Sequence, residues 1–193
     1  MDQGDTDWPV LLATDLDYHF KELVLTYQHQ LYAFALRQTG SPQDAEDIVQ
    51  EALIRAYYAL DDYSPQRLRA LKIQPWLYKI VLNVFYNRVR SSRLQVVPLD
   101  TTENSALLAI EGDWREQPDM LLEDTESLHE LEALVARLPE QYREAVNLYY
   151  FEGFNYREIA ELLNQPMGTI KSSLHRGLRV LRTMLTAQRR EVR

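Results

Sequence analysis

The sequence predicts an all-α protein with two helical domains joined by an acidic flexible linker, the second ending in a helix-turn-helix. Three observations predict it. Helix formers dominate, Gly is scarce at 6 of 193 residues, and β-branched runs are missing. Apolar side chains recur at three- and four-residue steps over most of the chain. Charge is segregated by segment, with basic islands at 64–95 (7 bases, no acid) and 166–193 (7 bases, 1 acid). The flanks are acidic: 1–63 carries 12 acids against 3 bases, and 96–165 carries 16 against 4. Charge blocks of this kind speak to partners rather than to fold, and two basic islands predict two nucleic-acid contacts.

In chain order, residues 1–15 form an acidic N-terminal extension. Asp2, Asp5, Asp7, Asp15 and Asp17 appear with no base in the first 17 residues, so no signal peptide is expected. A helix then runs over 16–38, with Leu16, Phe20, Leu23, Val24, Tyr27, Leu31, Phe34 and Ala35 on its apolar face. Gly40 stops it. Ser41, Pro42 and Asp44 open the next helix with a cap, a Pro in the first turn and an acid at the positive end. Ile48, Ala52, Leu53, Ala56 and Tyr57 turn inward. Asp44, Asp47, Gln50, Glu51 and Arg55 lie outside, a pattern that fits either a solvated surface or an acidic docking face for a basic helix.

Residues 61–75 form a loop or short irregular element that contains Arg67, Arg69 and Lys72. Trp76 starts a helix to about residue 92, with Trp76, Leu77, Ile80, Val81, Val84 and Phe85 inward. Lys79, Asn83, Asn87 and Arg90 fall on another side. Bases, amides and aromatics interleaved in this way suit nucleic acid, because amides read base edges and aromatics stack on exposed bases. Tyr63, Tyr78 and Tyr86 are stacking candidates, and Trp76, Phe85 and Tyr78 are also candidates for a partly core position. Residues 96–126 carry 9 acids against 1 Arg with poor apolar periodicity, so they are expected to be a linker. Helical spacing returns from Ser127 with Leu128, Leu131, Leu134, Val135 and Leu138, and Pro139 begins another helix.

The helix-turn-helix lies at 155–176. Asn155 followed by Glu158 is a helix-start signal. Ile159, Ala160, Leu162 and Leu163 form its apolar face, Asn164-Gln165 ends the helix, and Pro166 restarts the chain. Ile170, Leu174, Leu178 and Leu181 line the inner face of the second helix. Lys171, Ser172, Ser173, His175 and Arg176 are the residues assigned to the DNA face, with Lys171 and Arg176 suited to guanine edges or phosphate. Lys171-Ser172 does not end a phosphate-binding loop, because Ile170 stands where that loop needs Gly.

The same letters exclude other classes. No nucleophile, base and orienting acid fall together, the four His share no ligand spacing, and Cys is absent, so neither an enzyme nor a cofactor is expected. No apolar run approaches the ~18 residues of a membrane span, so no membrane insertion is expected. A cytoplasmic location is expected.

Both domains resemble the extracytoplasmic-function (ECF) class of bacterial RNA polymerase sigma factors. The first does so through Asp44-Ala45-Glu46-Asp47-Ile48-Val49-Gln50-Glu51 and Trp76-Leu77-Tyr78-Lys79-Ile80 with Asn83. The second does so through Leu138-Pro139-Glu140-Gln141-Tyr142-Arg143, Tyr156-Arg157-Glu158-Ile159-Ala160, Gly168-Thr169-Ile170-Lys171-Ser172 and Leu174-His175-Arg176. The resemblance implies a promoter-specificity subunit in which 16–95 binds core polymerase and the minus-ten element, and 127–193 reads the minus-thirty-five element as duplex. It implies that Asp47, Gln50 and Glu51 dock on the beta-prime coiled coil, with the beta subunit also contacted. It further implies minus-ten contacts from Lys79, Asn83, Asn87 and Arg90, and a loop with Tyr63 and Arg67 that receives a flipped base. An anti-sigma factor is a candidate partner. Ser173 stands where the family commonly has Arg, Ile73 where Phe is common, and Gly177 where Ala is common, which loosens the recognition helix slightly. A stand-alone helix-turn-helix regulator is the alternative reading. It accounts for the second domain and leaves the first without a role.

Overall fold

The computed structural model describes residues 6–95 and 125–191. The expected linker at 96–126 lies outside the described residues except for its last two positions. Every described element is an α-helix.

The first helix, α1 (Trp8–Thr14), was not foreseen, since its residues were expected to be an extension. Asp7 caps it by accepting from the Val10 amide, and Trp8 and Leu12 are buried. It packs on α2 (Leu16–Thr39), where Trp8 meets Tyr27 edge-on at 6.5 Å. Gly40 ends α2 at φ 70°, a left-handed turn that Gly adopts without strain. α3 (Pro42–Asp61) begins on the Ser41 cap and runs back along α2. The segment expected to be irregular holds a five-residue helix, α4 (Pro65–Arg69), capped by Ser64 and anchored by buried Leu68. α5 (Ile73–Gln95) starts three residues before Trp76, with Ile73 itself buried.

In the second half, α6 (Thr125–Ala136) is followed by α7 (Glu140–Tyr150), α8 (Tyr156–Leu163) and α9 (Met167–Glu191). α7 and α9 pack closely because Gly177 lacks a side chain. A Cβ there would sit 2.7 Å from Val146 Cγ2 and 3.2 Å from Tyr142 Cβ. Beyond the expected loosening of α9, Gly177 thus lets α7 lie close against it, which the sequence did not show.

The halves are packed on each other, through α2 with α6 and α7, and α5 with α8. Much of this seam is polar. Arg37 of α2 is 5% exposed. It donates to Asn147 Oδ1 at 2.7 Å, Glu132 Oε1 at 2.6 Å and Glu152 Oε1 at 2.5 Å, all in the second half. Its guanidinium lies 4.4 Å from the Phe151 ring centroid. Asn147 returns a bond to the Phe34 carbonyl at 3.2 Å, and Arg143 donates to the Gln38 carbonyl. The Gln38 side chain is fully buried and neither polar atom has a partner.

Candidate nucleic-acid and partner-docking surfaces

Three surfaces carry the predicted residues. On α3 the inward phase is taken by Ala45, Ile48, Val49, Ala52 and Ala56, all buried. That phase leaves Asp44, Asp47 and Gln50 exposed and Glu51 half-buried. The carboxylates face arginines of this chain. Arg88 of α5 reaches Asp47 Oδ2 at 3.2 Å through both terminal nitrogens, Asp44 at 3.8 Å, and Glu51 Oε2 at 3.9 Å through Nε. Arg55 donates to Glu51 Oε1 at 2.5 Å. The Arg88 pairings were not legible beforehand, because Arg88 sits in a basic run that reads as one block.

On α5 the core takes Leu77, Val81, Leu82, Val84 and Phe85, so Lys79, Asn83, Asn87 and Arg90 share the solvent side. The structure divides them between two hollows that share Asn83. A cavity of about 740 Å³ is lined by Arg55, Asn83, Tyr86, Asn87, Val89, Arg90 and Glu140. A second, of about 290 Å³, adjoins it around Arg55, Tyr63, Trp76, Lys79 and Asn83. Tyr63 lies against Trp76 at 6.1 Å, and the Arg67 guanidinium stands 3.6 Å from the Tyr63 ring centroid. Arg55, read from the sequence as part of the acidic face, lines both hollows. Its i, i+4 relation to Glu51 was visible; its lean toward α5 was not. Tyr78 is corrected as a stacking candidate, since it is fully buried and donates to Glu152 in the domain seam. Tyr86 is half-buried and donates to Glu144.

The third surface is the helix-turn-helix. Asn155 accepts from the Arg157 and Glu158 amides at 3.0 Å, while Glu158 accepts from the Asn155 amide at 2.9 Å. The expected capping box is complete. Asn164 closes α8 at φ 53°, a conformation that Asn tolerates better than most residues. On α9, Ser172, His175 and Arg176 are exposed, and Lys171 is half-buried with Nζ 5.8 Å from the Tyr156 ring centroid. The assignment of Ser173 to the DNA face is corrected: it is 8% exposed, on the inward side beside Leu174 and Gly177. Tyr156 was missed as a neighbour of Lys171. It stacks on Tyr149 at 5.0 Å, and burial pushes its hydroxyl up to about 12.

The seam between the halves brings further titratable groups together. Burial pushes the Glu152 carboxyl above the usual range, against the lowering pull of the Tyr78 hydrogen bond and Arg37. Burial likewise raises Glu144, opposed by the Tyr86 hydrogen bond and helped by Glu140. Both phenols are shifted upward, mainly by burial, so they stay protonated as donors.

Comparison with known proteins gives a consistent result. A family described as Sigma-70 region 2 matches residues 23–95, and one described as Sigma-70, region 4 matches residues 128–181. The chain is 31% identical over 172 residues to the ECF RNA polymerase sigma factor SigW of Bacillus subtilis, covering 86% of this chain and 88% of that protein. It is 32% identical over 167 residues to the ECF RNA polymerase sigma factor SigE of Mycolicibacterium smegmatis, covering 85% of this chain and 60% of that protein. Among solved structures, the sigma factor RpoE of Bartonella quintana, in complex with the anti-sigma factor NepR, matches with a TM-score of 0.63 at 26% identity. That match covers 86% of this chain and 96% of the other.

Proposed function

The chain belongs to the extracytoplasmic-function (ECF) class of RNA polymerase sigma factors, and from that membership we propose how its surfaces divide the work. It is an alternative sigma factor that binds core RNA polymerase and directs promoter recognition and transcription initiation. Sigma factors as a class are not enzymes. Among the described residues no helix is long and apolar enough to cross a membrane.

The proposed assignment is as follows. Asp47, Gln50 and Glu51 on α3 dock on the basic coiled coil of polymerase. Lys79, Asn83, Asn87 and Arg90, with Tyr63 and Arg67, take the minus-ten strand. Lys171, Ser172, His175 and Arg176 on α9 read the minus-thirty-five duplex. The first domain takes in α1, so its proposed extent is 6–95, and the helix-turn-helix domain is 127–193. The protein works in the cytoplasm, has no catalytic activity of its own, and takes an anti-sigma factor as a further partner.

One observation supports this division above the others. The amides and bases of α5 line two hollows that share Arg55 and Asn83, the second with aromatic Tyr63 and Trp76, while Asp44, Asp47 and Gln50 of α3 are exposed elsewhere. A separated strand with an extruded base needs such a hollow, because stacking and base-edge bonds offset an extrusion cost of a few kcal/mol. A stand-alone regulator of duplex DNA has no use for it. The test mixes core polymerase with the chain or with the double variant Gln50→Ala, Glu51→Lys. The wild-type chain should co-elute and give promoter-dependent transcripts. The double variant should lose both while keeping its helicity. Normal co-elution of the double variant would remove the docking assignment.

A further inference from the structure

The carboxylate of Glu51 is shared. Arg55 holds Oε1 at 2.5 Å, and Arg88 faces Oε2 at 3.9 Å while it also holds Asp47. The acidic face of α3 is therefore partly neutralised within the chain. A basic helix that docks there must compete with two arginines. Arg88 has other carboxylates to keep, Asp47 and Asp44. Among the described residues Arg55 forms an ion pair only with Glu51, and it lines the hollow that holds Asn83, Asn87 and Arg90.

We infer that Arg55 is an exchange residue coupling polymerase docking on α3 to promoter-strand binding in the hollow between α3 and α5. The inference rests on the proposed docking and minus-ten faces. In the free chain, Glu51 holds Arg55. When a basic helix takes Glu51, Arg55 loses its partner and turns to the anionic strand beside Asn83. Its planar fork suits a phosphate or a base edge. A weak tie is what exchange requires. Both side chains are substantially exposed, 48% for Arg55 and 39% for Glu51. Exposed pairs of this kind are worth well under about 1 kcal/mol, so docking can break the tie at little cost. Coupling of this form is reciprocal: a bound strand that draws Arg55 away must strengthen docking by the same factor.

The variant that tests it is Arg55→Gln, measured in two assays on the full chain. One is affinity for core polymerase without DNA, and the other is affinity of the saturated holoenzyme for a promoter fragment melted at the minus-ten element. Freeing Glu51 should tighten core binding about two- to fivefold. Loss of the fork should weaken promoter binding about fivefold or more, with Arg55→Lys recovering part of it. Opposite signs are the signature, since a merely structural role for Arg55 would weaken both. Any other pattern, both weaker or promoter affinity unchanged, overturns the exchange role. The docking reading is judged separately by the Gln50→Ala, Glu51→Lys variant, whose normal co-elution would overturn that reading instead.

Discussion

Arg37 of α2 and Glu152, just beyond α7, form an ion pair at 2.5 Å with side chains only 6% and 5% exposed. The pair joins the two halves of the chain. A buried ion pair is weak evidence for a permanent contact, because taking two charges out of water offsets most of their attraction. The seam around it is also polar, with Asn147, Glu144 and the unpartnered Gln38 side chain buried. Interfaces of that composition resemble transient contacts more than a continuous core.

The first prediction is that this clasp opens on the promoter. Minus-ten and minus-thirty-five elements lie roughly 25 base pairs apart, about 85 Å at 3.4 Å per pair. In the structure α5 packs directly against α8, the first helix of the reading unit. The two cannot touch and span that distance together. The chain has no Cys, so thiols introduced at exposed Gln66 and Thr183 can be labelled uniquely. Energy transfer between the dyes should be high in the free chain and collapse in the promoter-bound holoenzyme. Arg37→Ala removes the donor to Glu132, to Asn147 Oδ1 and to Glu152 Oε1, and should shift the free chain toward the open form by about 3–5 kcal/mol. Retained transfer on the promoter would mean that the halves never part.

The second prediction follows from the raised carboxyls. Glu152 faces Arg37, Tyr78 and, across Arg37, Glu132; Glu144 faces Tyr86, Arg143 and Glu140. Both bind a proton more readily in the packed seam than when exposed. The closed form therefore holds more protons than the open one, so acid favours closure and rising pH favours opening. Their contribution to closure is full below the ordinary glutamate value of about 4.3 and is lost as pH climbs through the raised values. The same dye pair should report a pH-dependent opening, and Glu144→Gln should flatten it. A flat profile in the wild-type chain would contradict the sign.

The third prediction concerns Gly177. Ala is a better helix former by about 1 kcal/mol, so on propensity alone Gly177→Ala should stabilise α9. Packing opposes this, because the new Cβ would meet Val146 Cγ2 at 2.7 Å and Val146 is 1% exposed. Overpacking of this kind costs about 1–3 kcal/mol, so the net effect should be a modest loss of thermal stability. Val146→Ala in the same chain should recover it. A stabilised single variant would show that α7 yields freely.

How far the chain was legible depends on what kind of signal each feature leaves. Gly40, Ser41-Pro42 and the Asn155–Glu158 box act locally, through φ angles and end amides, and each stands where its residue type implied. α1 is only seven residues long, too short for a periodic pattern, although Trp8 and Leu12 at i, i+4 carried the available hint. Ser173 was misplaced by its polarity. It lies three residues after Ile170 and four before Gly177, both inward, and that phase outweighs the hydroxyl. The clasp left no trace, because its members are ordinary polar residues far apart in the chain, 74 positions for Tyr78 and Glu152 and 58 for Tyr86 and Glu144. The charge blocks proposed as docking and strand-binding faces were visible. Their cross-links through Arg88 and Arg55 were not, since a block of like charge does not say which member turns toward which neighbour.

The last prediction separates two kinds of contact on α9. Arg176 is exposed, whereas Lys171 is half-buried beside the Tyr156 ring. Arg presents a planar fork that can hold guanine O6 and N7 together, and Lys is a point charge on a flexible stem. Lying against Tyr156 limits the reach of Lys171, so its natural target is the phosphate nearest the start of α9. Arg176, about a turn and a half further on and exposed, is the better candidate to enter a groove. Arg176→Ala should therefore cost the holoenzyme about 1–3 kcal/mol and relax preference at one position of the minus-thirty-five element. Lys171→Ala should weaken binding nearly uniformly across promoter variants and lower the salt slope by about one. Tyr156→Leu should act like a weaker form of the lysine change, since it removes the ring that steadies the stem. Holoenzyme affinities for a set of minus-thirty-five variants at two salt concentrations distinguish these outcomes. If Arg176→Ala left both affinity and preference unchanged, α9 would not be the element that reads the groove.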